Sequence, residues 1–184
     1  PIKYVGIWWG MIRGDWTWAE GPRHGATTER ARQYIDFAAK HGFGGVLIEG
    51  WDKGWNGDWL GHGEGFSFTE AVPDFDIKAV TDYARKSKVQ LIGHNETGGN
   101  IVNYENQLEA AMKLYSSLGM NSVKTGYVAH IGGIVADGDK PGEIRMEYHE
   151  GQRMVQHHLK VVETAAKYHI AIDAHEPVKD TGLR

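Results

Sequence analysis

Two glutamates occupy positions at which enzymes of the α/β class often carry reactive groups. Glu96 closes the segment Leu91–Glu96 and Glu176 closes the segment Ile170–Glu176, each after a short apolar run. If these runs form parallel strands of one sheet, both carboxyl groups converge on the same end of that sheet, where such enzymes hold their active sites. This pair is the main reason to interpret the chain as catalytic.

Paired carboxylates are the groups that hydrolysis of an acetal requires. One carboxyl protonates the leaving oxygen, and the other activates a water or attacks the sugar carbon. A single loop glutamate is more often a surface carboxylate paired with lysine. Two glutamates at equivalent strand ends favour catalysis, while the spacing leaves open which of them takes which role.

Four more polar residues are placed to line the same site. His94 and His175 precede the glutamates and could bind sugar hydroxyls through both ring nitrogens, although satisfaction by the backbone is the alternative for each. Lys124 lies at the end of an apolar run, where its ammonium must reach a polar pocket to be tolerated. Glu49 ends the run Val46–Glu49 in the same way.

The tryptophans are distributed unevenly. All seven fall in the first third of the chain, at Trp8, Trp9, Trp16, Trp18, Trp51, Trp55 and Trp59. Some are expected in the core. Their clustering also suits stacking against the apolar faces of pyranose rings.

Hydrophobic patterns predict alternating strands and helices. Strands are predicted at Tyr4 to Trp9, Gly45 to Ile48, Val89 to Gly93, Ser122 to Gly126 and Ile170 to Ala174. Helical spacing lies between them, at Ala31 to Ala38, Ile77 to Ala84, Leu108 to Tyr115 and Val155 to Ala166. This order predicts a parallel sheet with right-handed crossovers, either doubly wound or closed as a barrel.

Cap and loop residues add detail to this prediction. Glycines are expected to end the first and third helices, and polar caps to begin the second and third: Gly42, Gly119, Asp74 or Asp76, and Asn103. The long connections all lead from strand to helix, at Gly10 to Ala26, Trp51 to Pro73 and Tyr127 to His149. Long loops on one face are where ligand groups are usually mounted.

Composition excludes several functions. The net charge of −4 and pI near 6.2 provide no basic face, so no nucleic-acid partner is expected. No apolar run approaches the roughly 18 residues of a membrane span, so no membrane partner is expected either. The absence of cysteine removes disulfide and thiolate chemistry without deciding the compartment. The segment His149–Arg153 lacks the second histidine of a zinc-protease helix.

Six motifs in order resemble the catalytic barrel of glycoside hydrolase family 97. They are Gly6-Ile7-Trp8-Trp9-Gly10, His24-Gly25-Ala26-Thr27-Thr28, Glu49-Gly50-Trp51, His94-Asn95-Glu96-Thr97, Val123-Lys124-Thr125-Gly126-Tyr127 and Ala174-His175-Glu176-Pro177. That family comprises calcium-dependent, exo-acting bacterial α-glucosidases and α-galactosidases, many of them periplasmic. The resemblance implies an oligosaccharide substrate, bound Ca²⁺ and a periplasmic or extracellular location.

The resemblance also assigns roles by position. Glu96 and Glu176 resemble the general-base glutamates of the inverting, α-glucosidase-like branch, and Glu176 also resembles a calcium ligand. The residues that resemble sugar-holding positions are Trp9, Glu49, His94, Lys124 and His175. In the retaining, α-galactosidase-like branch an aspartate nucleophile stands where this chain has Gly126. The absence of this aspartate leaves space for a water that a base can activate, so inversion of configuration is expected.

Length indicates that the domain is incomplete. One strand–helix unit spans about 40 residues, so eight units would need about 320, and the 184 residues hold about four and a half. We expect residues 1–184 to be the N-terminal half of a (β/α)8 TIM barrel in a larger enzyme with flanking β domains, because a lone half-barrel leaves strand edges unpaired.

The resemblance places the general acid and the other calcium ligands outside this chain, so the isolated chain is expected to be inactive. The segment Ile134 to Glu147 is longer than the family pattern. A retaining α-galactosidase and a non-catalytic carbohydrate-binding module are the alternatives.

Overall fold

The computed structural model describes residues 2–129 and 133–178. Its strands are Tyr4–Gly6 (β1), Gly45–Leu47 (β2), Gln90–Glu96 (β3), Ser122–Gly126 (β4), Gly133–Asp137 (β5), Ile144–Tyr148 (β6) and Ala171–Ala174 (β7). Its α-helices are Trp8–Ile12 (α1), Thr28–His41 (α2), Ile77–Lys86 (α3), Ile101–Ser117 (α4) and Gln152–Lys167 (α5). Strands and helices alternate through most of the chain, as predicted.

Five strands form one parallel sheet in the order β1-β2-β3-β4-β7, and β5 and β6 form a separate antiparallel hairpin. The sheet is strongly curved, as a hydrogen bond between its two edge strands shows: the Tyr4 hydroxyl donates to Asp173 Oδ2 at 2.7 Å. A flat sheet would hold these two strands about 19 Å apart, at about 4.8 Å per strand. The fold is therefore a partial (β/α)8 barrel, and the doubly wound alternative is excluded.

Helix ends follow the predicted chemistry with one exception. Gly42 has φ 73° and its N–H donates to the Ala38 carbonyl, and Gly119, with φ 77°, follows the Leu118 C-cap of α4. Asp76 caps α3 by accepting from the Ala79 N–H. The prediction of Asn103 as the α4 cap was wrong: Asn100 holds that place, and its side chain accepts from the Asn103 N–H. Both asparagines suit a cap, and only the backbone path distinguishes them.

Two predicted strand ends were also wrong. The first strand stops at Gly6, because Ile7 has helical backbone angles and Trp8 and Trp9 belong to α1. A short apolar run does not distinguish a strand from a buried helical turn. The third strand runs beyond Gly93 and includes Glu96, so this glutamate is held by the sheet itself.

The predicted loop Tyr127 to His149 contains the β5–β6 hairpin. Ile134 and Ala136 of β5 are fully buried and form a small second core with Ile101, Tyr127 and Met154. The alternation of buried and partly exposed residues along β5 is a strand signal, but its position inside a strand-to-helix connection favoured a loop. The hairpin also braces the turn after β3, since the Val135 N–H donates to the Gly99 carbonyl at 2.8 Å.

The main core lies between the outer face of the sheet and the helices. It is filled by apolar residues of α2 to α5 and of the strands, among them Ile35, Val46, Val80, Leu108, Tyr115, Val123 and Val161. Within residues 2–129 and 133–178, no helix combines the length and the apolar character that crossing a bilayer requires.

Candidate active site

A cavity of about 670 Å³ opens at the carboxyl ends of the parallel strands. It is lined by all seven side chains that the sequence predicts for the site: Trp9, Glu49, His94, Glu96, Lys124, His175 and Glu176. Tyr4, Trp18, Trp55 and Trp59 also line it. A pocket of this volume, at this end of a barrel, suits a small-molecule ligand. The catalytic and sugar-binding roles of the seven residues remain predictions.

Glu96 is held by backbone donors at the end of β3. Its Oε1 accepts from the N–H of Gly98 at 2.9 Å and from the N–H of Val128 at 3.0 Å. Gly98 has φ 56°, and this tight turn brings its N–H back to the carboxylate. Burial raises the pKa of Glu96 to about 8. The charge of Glu176 also raises this pKa, and the two backbone hydrogen bonds lower it. The carboxyl is therefore poised to titrate close to neutral pH.

Gly126 is the closest neighbour of Glu96 on β4. The two residues are paired in register, and a Cβ built on Gly126 would overlap the Glu96 carboxylate. No larger residue fits at position 126 while Glu96 keeps this conformation. A residue with a side chain at position 126 would therefore require the end of the Glu96 side chain to shift.

Glu176 lies just beyond the end of β7. Its Oε2 accepts from the N–H of Tyr127 at 3.0 Å, while the residue as a whole is exposed. Its backbone adopts φ 46°, the left-handed region that a non-glycine residue seldom occupies. Strain of this kind clusters at functional sites, and the role of Glu176 stays a prediction.

Glu49 and Lys124 form a buried ion pair. Lys124 Nζ donates to Glu49 Oε1 at 2.5 Å, and His94 Nε2 lies 3.8 Å from the same oxygen. Burial by itself raises the pKa of Glu49, but the neighbouring His94 and Lys124 outweigh burial and hold that pKa below its ordinary value. The Lys124 ammonium therefore reaches a polar pocket, which is what the sequence required of a lysine at this position.

His94 is completely buried and its side chain makes no hydrogen bond to the described residues. The ring stacks on Trp55 at 5.7 Å between centroids. Burial lowers the pKa of His94 to about 4, so the imidazole is neutral at pH 7 and Lys124 supplies the positive charge beside Glu49. An imidazole without hydrogen bonds at a cavity wall is ready to bind a ligand hydroxyl.

Four of the seven tryptophans form two groups, one buried and one exposed, and the other three are partly buried. Trp51 and Trp55 are buried in the core, while Trp8 and Trp9 are exposed at the cavity rim with their rings 4.9 Å apart. Trp18 stacks on Trp55 at the cavity wall. The exposed group provides apolar surface at the entrance, and the buried group supports His94.

Sequence reasoning missed two supporting residues. Asp52 is fully buried and its Oδ1 accepts from Trp55 Nε1 at 2.9 Å, which orients the ring that stacks on His94. Burial raises the pKa of Asp52 to about 8. The second residue is Tyr127, for which the sequence predicted no role although it ends the motif Val123-Lys124-Thr125-Gly126-Tyr127. An acid three positions before a tryptophan is a weak signal, and nothing in the sequence shows which backbone amides face a carboxylate.

The described residues do not form a calcium site on their own. Within the described part of the chain, no group of three or more acidic, histidine or cysteine side chains is arranged to hold a metal. Ca²⁺ takes six to eight oxygen ligands, and Glu176 contributes one carboxylate. Calcium at this position would need ligands from outside the described residues.

A curved parallel sheet that gathers acidic residues at its carboxyl edge has the architecture of a TIM-barrel enzyme. The family model for glycoside hydrolase 97 matches residues 8–184. The chain belongs to glycoside hydrolase family 97, as its motifs indicated.

Individual proteins that are similar to this chain include other members of the family. A glycoside hydrolase family 97 enzyme from Pseudoalteromonas sp. strain K8, solved in complex with acarbose, is 54% identical with a TM-score of 0.94, over 100% of this chain and 28% of that one. A variant from the same strain, solved with panose, has the same identity, TM-score and coverage. A retaining alpha-galactosidase from Bacteroides thetaiotaomicron is 23% identical over 189 residues, which cover 100% of this chain and 22% of that protein.

Proposed function

We propose that the protein to which this chain contributes hydrolyses terminal α-glucosidic bonds with inversion of configuration. The observation that carries the proposal is the absence of a side chain at Gly126, next to the Glu96 carboxylate of the neighbouring strand, so β4 offers no nucleophilic carboxylate at this position. A retaining enzyme needs such a carboxylate against the sugar carbon, whereas an inverting enzyme needs a water there and a more distant base.

Glu96 and Glu176 would act as the general bases of the reaction. Both line the cavity, and each is fixed by a hydrogen bond from the loop that follows β4. A general base works best when its pKa is near the working pH, and the pKa of about 8 for Glu96 meets that condition. The base accepts a proton from water as the water oxygen bonds to the sugar carbon, and the general acid protonates the leaving oxygen. In this proposal that acid lies outside the chain.

The terminal sugar would be held by the polar and aromatic groups of the cavity. The neutral His94 imidazole and the Glu49–Lys124 pair offer both donors and acceptors to sugar hydroxyls. Trp9 offers an apolar face at the rim. Glucose is favoured over galactose because the relatives at 54% identity were solved with acarbose and with panose, which is built from α-linked glucose.

Proton NMR of the products tests the proposal directly. The full-length protein is incubated with an aryl α-glucoside, and β-glucose is expected as the first anomer released. Initial α-glucose would contradict inversion. The Glu96→Gln and Glu176→Gln variants should each lose most turnover, and full activity in either one would reassign the base.

A retaining α-galactosidase is the second candidate, favoured by the relative from Bacteroides thetaiotaomicron at 23% identity. It predicts faster release of galactose than of glucose, with α-galactose first. A non-catalytic carbohydrate-binding role is the third candidate. Calorimetry that detects micromolar binding of maltotriose by a protein with no hydrolysis of any α-glycoside would favour it.

The proposal also includes a bound Ca²⁺, a cellular location and a place for this chain in a larger domain. Glu176 would supply one ligand to Ca²⁺, which would add positive charge next to the substrate. A chelator should then lower kcat, and added Ca²⁺ should restore it. We place residues 1–184 in the N-terminal half of the barrel, beside flanking β domains, in a periplasmic or extracellular enzyme. Fractionation of the source cells would test that location.

A further inference from the structure

Two consecutive backbone amides hold the two glutamates of the site. The N–H of Tyr127 donates to Glu176 Oε2 at 3.0 Å, and the N–H of Val128 donates to Glu96 Oε1 at 3.0 Å. Because both donors belong to one short stretch of backbone, a rotation or shift of that stretch changes both contacts together, while Glu96 keeps its second contact with the Gly98 N–H. The spacing of the glutamates is thus coupled to whatever fixes residues 127 and 128.

The Tyr127 side chain anchors this stretch on the side away from the cavity. It is 1% exposed and packs among Ile101, Ile134 and Met154, and the residue does not line the cavity. Its hydroxyl lies 2.9 Å from Nε2 of His157, which is also completely buried. A tyrosine that only filled the core would need no hydroxyl at this position.

His157 continues the connection to a carboxylate. Its Nδ1 lies 2.8 Å from Oε1 of Glu105. An ionised carboxylate only accepts hydrogen bonds, so Nδ1 carries the proton and Nε2 accepts from the Tyr127 hydroxyl. All three side chains therefore have complementary donor and acceptor roles.

Glu105 is itself fixed by two cations of α5. Arg153 Nη1 lies 2.9 Å and Lys160 Nζ 2.6 Å from its carboxylate oxygens. Arg153 also bonds to Asp137 at the end of β5, at 2.6 Å. The network therefore joins α4, α5 and the hairpin to the loop that holds both glutamates.

We propose that Tyr127 is a positioning residue, and that the Tyr127–His157–Glu105 relay sets the placement of the two glutamates through the amides of residues 127 and 128. This inference rests on the proposed function, because it assigns the glutamates to catalysis. Removing the Tyr127 hydroxyl should leave the sugar-binding side chains untouched. It should slow the chemical step, because small displacements of reacting groups reduce rates by large factors.

Kinetics of full-length variants on an aryl α-glucoside test the relay. Tyr127→Phe should lower kcat by roughly tenfold to hundredfold and leave KM within about twofold, since the sugar contacts remain. Tyr168→Phe is the matched control, because its hydroxyl bonds to Glu109 on the helix surface and does not touch the site. That control should keep both constants. Unchanged kcat in Tyr127→Phe would overturn the proposal.

Variants at His157 distinguish positioning from general support of the core. Gln can still accept the hydroxyl hydrogen bond and Leu cannot, so His157→Gln should keep more kcat than His157→Leu. The Tyr127→Phe, His157→Leu double variant should be no slower than the slower single variant. Equal kcat in His157→Gln and His157→Leu, with lowered thermal midpoints in both, would assign the network to stability alone.

A crystal structure of Tyr127→Phe gives a readout that does not depend on activity. Displacement of the Tyr127 and Val128 amides from the two carboxylates is expected, and both contacts retained at 3.0 Å would refute the relay. The Glu96→Gln and Glu176→Gln variants are assayed in parallel. If they stay active, the proposed function fails, while the crystallographic result still decides whether the relay positions the glutamates.

Discussion

Lys124 on β4 donates a hydrogen bond to Glu49, which follows β2, at 2.5 Å, and so connects two strands that flank β3. The pair thus spans three neighbouring strands and is nearly inaccessible to solvent. A buried ion pair contributes little net stability compared with apolar residues, but loss of one partner leaves an uncompensated charge. The pair is therefore weak evidence for a stabilising role.

Lys124→Met is therefore expected to destabilise the barrel by about 3 to 5 kcal/mol, because Glu49 is left charged and buried. The Lys124→Met, Glu49→Gln double variant should regain most of that stability, since no isolated charge remains. It should not regain binding of an α-glucoside. Thermal unfolding and calorimetry of the parent protein, Lys124→Met, Glu49→Gln and the double variant measure both effects. A double variant that binds the sugar normally would show that the pair is structural.

The activity should rise with pH. A general base must be ionised, and the pKa of Glu96 is raised to about 8 by burial and then by the charge of Glu176. We expect kcat/KM to increase between about pH 7 and pH 9 through this ionisation. Glu64→Gln, at an exposed position of the same charge, is the control and should leave the profile unchanged. A flat profile above pH 6 would indicate that Glu96 is not the base.

The same ionisation should lower the stability of the folded protein as the pH rises. The folded pKa of about 8 exceeds the ordinary value of 4.5, so folding favours the protonated Glu96. Its contribution is complete below pH 4.5 and is lost as the pH rises through 8. Glu96→Gln cannot ionise and should have a higher thermal midpoint than the parent protein at pH 9. Equal midpoints at that pH would argue against a buried, neutral Glu96.

Gly126→Ala should abolish most activity, because its Cβ would overlap the Glu96 carboxylate and force it to move. The loss should appear mainly in kcat. Gly65→Ala is the matched control, since a Cβ there meets no atom within 4 Å. A crystal structure of Gly126→Ala with Glu96 unmoved, or a variant with full kcat, would show that position 126 does not constrain Glu96.

Asp52→Asn should be nearly neutral, because the buried Asp52 carboxyl is already uncharged at pH 7. The amide oxygen can still accept from Trp55 Nε1. Asp52→Leu should cost about 1 to 3 kcal/mol, since the indole N–H is left without an acceptor. It should also weaken sugar binding through His94, which stacks on Trp55. Calorimetric unfolding and ligand titration of both variants check these expectations.

Much of the fold follows from local patterns. Apolar runs of strand length and stripes of helical spacing depend only on neighbouring residues, and their alternation leaves few topologies. The failures have local causes too: Trp8 and Trp9 suit either a strand or a helix, and Asn100 and Asn103 suit a cap equally well. The β5–β6 hairpin was missed because its alternation is short and lies where a loop was expected.

The sequence by itself determined that Glu96, Glu176 and Lys124 lie in or just beyond parallel strands, because strand order and residue type depend on local pattern. Only the tertiary structure decided how Lys124 meets Glu49, why position 126 admits no side chain beside Glu96, and which backbone amides hold both glutamates. These relationships join residues far apart in the chain. They depend on sheet register, on barrel curvature and on the path of the loop after β4, none of which is a property of a local segment.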